Sequence, residues 1–79
     1  MTPGERSLAA IDYIAFWHGV DRHAVMSGSS TRKVTAARID AAVYFRARGR
    51  TYKEIGITLG RDHSSIIIGV EKLERRQRI

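Results

Sequence analysis

The chain has 79 residues, a net charge of +6 and no cysteine, which fits one small domain and leaves out a disulfide framework and any Cys-based zinc site. No apolar run approaches the roughly 20 residues of a membrane span, and Met1-Thr2-Pro3-Gly4-Glu5-Arg6 has no secretory pattern, so the expectation is a cytoplasmic protein. The charge is lopsided: residues 1–31 hold two basic and three acidic side chains (net −1), whereas residues 32–79 hold twelve and five (net +7).

In chain order, Pro3-Gly4 precedes a helix expected from about Glu5 or Ser7 to His18. Leu8, Ile11, Ala15 and His18 recur at three- and four-residue spacing, and Ile14 and Trp17 widen the stripe. Gly19 is the natural stop. With little positive charge, this helix reads as a packing element and not as a membrane-surface helix. Asp21 can cap a short helix over 22–26, with Val25 and Met26 buried. His18 and His23 stand five apart with no carboxylate pattern to complete a metal site, so no metal is expected. Ser27-Gly28-Ser29-Ser30-Thr31 reads as a flexible loop. A long helix follows from Val34 to Arg48, with Thr31 or Lys33 near its start and Gly49 closing it. Its buried face is Ala37, Ala41 and Tyr44 or Phe45. Arg38 and Arg46, about two turns apart, can both meet phosphates, and Arg48, Arg50 and Lys53 add to that basic edge.

Residues 51–77 carry the functional argument. Thr51 and Glu54 form a capping box, and Ile55 and Leu59 point to a core on one helix face. Gly56 between them lets another helix come close, and Gly60 ends the helix. Asp62 then caps a second helix whose buried stripe is Ile66, Val70 and Leu73. Two helices, a short turn containing Gly and a polar opening to the second helix make the helix-turn-helix pattern. That polar opening is Arg61, Asp62, His63, Ser64 and Ser65. Arg forks onto guanine, Asp accepts from the cytosine amino group, and Ser bonds several base edges or a phosphate. A merely capping Asp62 with solvated neighbours is the plainer alternative; the spacing and the local basic charge weigh against it.

Gly60-Arg61-Asp62-His63-Ser64-Ser65 resembles the signature of the C-terminal DNA-binding domain, domain IV, of the bacterial replication initiator DnaA, with one glycine where that family usually has two. Glu54-Ile55-Gly56 and Glu71-Lys72-Leu73-Glu74 match it as well, and a weaker likeness runs upstream to about residue 8. The resemblance implies an all-α fold of about five helices with a Trp-repressor-like helix-turn-helix. It implies base contacts from Asp62, His63 and Ser64, with Arg61 and Lys53 beside them, and a phosphate contact from Ser65. Basic residues at the places of Arg38 and Arg46 meet phosphates in the family. The family also sends an Arg into the minor groove from the loop before the long helix. Here Ser30 stands at that place, and Arg32 or Lys33 is the available substitute.

There is no Walker-type phosphate loop and no catalytic triad or paired-carboxylate arrangement, so neither nucleotide binding nor enzyme activity is expected, and no cofactor. The expectation is a single domain, 1–79, that binds double-stranded DNA sequence-specifically at a DnaA-box-like, A·T-rich site as a small regulator of transcription or replication. Two other readings stand beside it. One is a helical adaptor that binds a partner protein through Trp17 or Ile67–Ile68. The other is a piece of a longer replication initiator.

Overall fold

Thr2 opens the first helix. Its hydroxyl accepts the Glu5 amide at 3.2 Å, and Pro3 takes a position at the start of the helix where its missing N–H is not needed. The helix therefore begins at Pro3, earlier than the spacing of apolar residues indicates. The computed structural model describes residues 2–27 and 31–77. Their regular structure is all helical, in the order α1 (Pro3–Trp17), α2 (Arg22–Met26), α3 (Arg32–Ala47), α4 (Tyr52–Leu59) and α5 (His63–Gln77). The expected all-α, five-helix architecture is what the chain adopts.

The helix starts follow local chemistry. Thr31 caps α3 by accepting the Val34 amide, and Thr51 and Glu54 form the reciprocal capping box at α4. Asp21 takes the N-cap position of α2 by backbone conformation alone, with no side-chain cap bond.

The long α3 packs against all four other helices. It can do so because Ala37, Ala41 and Ala42 are fully buried and let neighbouring backbones approach. Around them sit Ile11 and Ala15 of α1, Val25 of α2, Phe45 of α3, Ile55 and Leu59 of α4, and Ile66 and Val70 of α5. Each large aliphatic side chain removed from water here contributes about 1.5–3 kcal/mol. His18, half-buried at the end of α1, hydrogen-bonds Asp40 and so ties the end of α1 to α3.

Three packing expectations change. Trp17 does not widen the buried stripe of α1 but is 68% exposed, because its side faces away from α2 and α3. Met26 and Leu73 are only half-buried, each at the edge of the core near the end of its helix. Residues 28–30, which include most of the expected loop, lie outside the described residues, as do Arg78 and Ile79.

Candidate nucleic-acid interface

The geometry of the α4–α5 pair starts at two glycines. Gly60 adopts a left-handed backbone, φ 69°, and ends α4. The Gly60 amide bonds back to the Gly56 carbonyl, and so does the Arg61 amide, at 3.0 Å. The chain then re-enters helix at once. The Asp62 carbonyl accepts the Ser65 amide at 3.1 Å and the Ile66 amide at 3.3 Å, so Asp62 stands at the start of α5. Its carboxylate lies 3.4 Å from His63 Nδ1.

Gly56 decides how closely the two helices meet. A Cβ at this position would stand 2.7 Å from the Arg61 carbonyl oxygen and 3.3 Å from the His63 nitrogen. Only hydrogen fits there, so the backbone that opens α5 rests directly on α4. Gly60 is boxed in as well, because a Cβ there would meet the Met26 carbonyl oxygen at 2.6 Å. Below this contact Ile55, Leu59, Ile66 and Val70 are buried and anchor both helices to α3.

The turn displays its polar residues outward. Lys53, Arg61, Asp62 and His63 line one open depression together with Gly56, Ile57 and Gly60. Ser64 and Ser65 are exposed on the next positions of α5. Four of the five expected base-reading residues therefore share one surface, and Ser64 adjoins it. Sequence reasoning missed Ile57, which is 75% exposed in the same depression. The signal for it was available: Ile57 is two positions from both buried Ile55 and buried Leu59, roughly 200° around the helix.

The expected phosphate residues divide. Arg46 is exposed at the corner between α3 and α4, stacked 4.5 Å over the Tyr52 ring, with Nη1 donating to the Arg50 carbonyl at 2.9 Å. Ser65 is exposed in the first turn of α5. Arg38 does not belong to this set. It is 3% exposed, with Nε donating to the Val25 carbonyl and Nη2 to the Ser27 carbonyl, both at 3.1 Å. It closes the end of α2 onto α3, and its position within the Val34–Ala37–Ala41–Phe45 stripe is what turns it inward. Burial lowers the pKa of this guanidinium, and the nearby charge of Arg61 lowers it further. Arg48 and Arg50 are turned elsewhere too. They line a groove between α1 and α3, Arg48 over the Tyr44 ring at 4.8 Å and Arg50 over the Phe45 ring at 5.2 Å. Arg50 also donates to Ser7 Oγ at 2.9 Å.

Arg32 and Lys33 are both exposed in the first turn of α3. Arg32 lines a second groove, between α3 and α5, with Ile39, Leu73 and Arg76.

Glu54 is the titrating group at the base of this region. Hydrogen bonds from the Thr51 amide and then the Thr51 hydroxyl hold its carboxyl below the ordinary range, helped by the charge of Arg50 and opposed by slight desolvation. Among the described residues no cluster of His, Asp or Glu could hold a metal ion, and no helix is long and apolar enough to cross a membrane. Compared with protein-family models, with curated proteins and with solved structures, the chain matches none of them.

Proposed function

We propose that the chain is a sequence-specific double-stranded DNA-binding domain, with α4–turn–α5 acting as a helix-turn-helix and α5 as its recognition helix. The observation that carries this reading is the single exposed depression lined by Lys53, Arg61, Asp62 and His63 at the opening of α5. Recognition helices read bases with their N-terminal residues. The free amides of a helix start and the net charge of +7 over residues 32–79 favour the phosphate backbone around it. Arg46 and Ser65 serve as phosphate contacts, and Arg32 or Lys33 reaches the minor groove from the first turn of α3. Exposed Ile57 gives the reading surface an apolar point suited to a thymine methyl group, the one apolar feature of the major groove. The resemblance of residues 54–65 to the DnaA domain supports the same surface and suggests a short, asymmetric, A·T-rich site in transcriptional or replication control.

Selection of bound sites from random duplexes, followed by competition binding with single-base variants of the winner, tests this. The expected result is one enriched site whose affinity falls steeply with salt. Enrichment of no common sequence would leave only electrostatic attachment, and salt-insensitive binding would reject the phosphate interface. Protein-partner binding has separate support in Tyr13, Phe16 and Trp17, which are exposed together on α1.

A further inference from the structure

α1 makes its helix contacts with α2 and α3, so its outer side lies apart from the α4–α5 surface. Here Tyr13 and Trp17 touch edge to face with ring centres 6.2 Å apart, and Phe16 meets Trp17 in the same manner at 6.3 Å. The three rings are 65%, 77% and 68% exposed for Tyr13, Phe16 and Trp17. Tyr13 also forms one wall of the α1–α3 groove, whose lining includes Ala9, Ala10, Ile14 and Tyr44. The cationic members of that lining are Arg6, Arg48 and Arg50.

The arginines are what identify an occupant. Among the described residues none of the three forms an ion pair. The two acids of α1 are engaged elsewhere: Glu5 accepts from the Thr2 hydroxyl, and Asp12 pairs with Arg22 at 3.0 Å. Arg48 and Arg50 are held over aromatic rings, a stacking that orders the flat guanidinium; Arg48 keeps its N–H edge available for a carboxylate fork, while Arg50 already donates one N–H to Ser7 Oγ. An apolar groove rimmed by Arg6, Arg48 and Arg50 is complementary to a segment that carries apolar side chains and carboxylates together. Duplex DNA supplies the negative charge but no apolar side chains to cover the aromatic floor.

We infer that the α1–α3 groove is a docking site for an acidic amphipathic peptide segment of a partner protein, separate from the DNA-reading surface. Tyr13 and Arg6 are the contact residues on its α1 side, and Arg48, just past the end of α3, lines the same groove. Binding there leaves the α4–α5 depression open, so the domain can join its DNA site to a second protein. This site does not depend on the DNA reading.

The test uses a fluorescein-labelled peptide of about 18 residues, with Leu at three- and four-residue intervals and Glu elsewhere. A counterpart with Lys for every Glu and a labelled single-stranded oligothymidine are run beside it. Fluorescence anisotropy measures binding, and backbone NMR shifts of the intact chain locate it. The expected result is saturable binding of the acidic peptide, with shifts confined to residues of α1 and the end of α3. Arg6→Glu and Tyr13→Ala each weaken it about tenfold, as loss of an Arg or Tyr anchor does. Both positions are exposed, so circular dichroism stays that of the wild type, and binding of the selected DNA duplex is unchanged. Equal binding of the Lys peptide, preferential binding of oligothymidine, shifts in α4–α5, or no saturation by the acidic peptide would each overturn the assignment.

Discussion

At the scale of single residues, the two arginines of α3 that look equivalent in sequence part company. Arg38→Ala removes two charge-assisted hydrogen bonds and leaves the Val25 and Ser27 carbonyls without that donor. Charged hydrogen bonds contribute about 1.5–3 kcal/mol each, so this variant is expected to lose at least ~2 kcal/mol in a urea melt while its salt dependence on DNA stays that of the wild type. Arg46→Ala is expected to do the reverse: near-normal stability, weaker binding to all duplexes alike, and a salt slope lower by about one unit. Charge at position 38 suggested exposure, but the apolar spacing around it already put it on the buried stripe; the two signals conflicted, and packing won. The exposure of Asp62, His63 and Ser64 was legible for the opposite reason. A helix start is set by local chemistry, and these three polar side chains follow the turn at Gly60 on positions that do not meet the core stripe of Ile66 and Val70. Asp62→Asn and His63→Ala are expected to lose roughly 1–3 kcal/mol of discrimination at one or two base positions, with helical content unchanged. Competition binding measures it, and equal losses on preferred and scrambled duplexes would reject the reading role.

At the scale of the element, α4 is held at both ends by chemistry that can be perturbed separately. Its start titrates. Because Glu54 has a folded-state pKa below its ordinary 4.5, its contribution is fully present above about that pH and is lost as pH falls through the lower folded value. Acid titration followed by the Thr51 amide shift should show this loss, and Glu54→Gln should flatten it; matching acid profiles would contradict the capping box as its source. The far end of α4 is steric. Gly56→Ala drives a methyl into the Arg61 carbonyl and is expected to cost about 1–3 kcal/mol, measured by denaturant midpoint, as overpacking does. Helix boundaries were readable within a few residues because Thr51, Glu54 and Gly60 act on their immediate neighbours. The direction of Trp17 was not readable, because a wide apolar stripe does not say which edge meets a neighbouring helix. Arg48 and Arg50 were assigned to the basic edge by proximity in sequence, and only the fold turns them toward α1.

At the scale of the whole molecule, α3 is the shared support. α3 packs against α1, with which it forms the groove, and also against α4 and α5, so a chain of 79 residues carries both surfaces on one support. The proposed DNA complex uses one face and the acidic segment the other. Gly60 adds a constraint within the DNA face itself. Its backbone abuts the Met26 carbonyl, and Arg38 holds the next carbonyl, that of Ser27. The turn that presents Arg61 and Asp62 thus shares its footing with the end of α2 and, through Arg38, with α3, whose first turn carries Arg32 and Lys33. In the proposed complex the two therefore cannot slide apart, and the domain behaves as a caliper with a fixed gap. A DNA site lengthened by one base pair between its major-groove and minor-groove portions should lose at least as much affinity as a mismatched pair, about 1–3 kcal/mol, although every preferred base is still present.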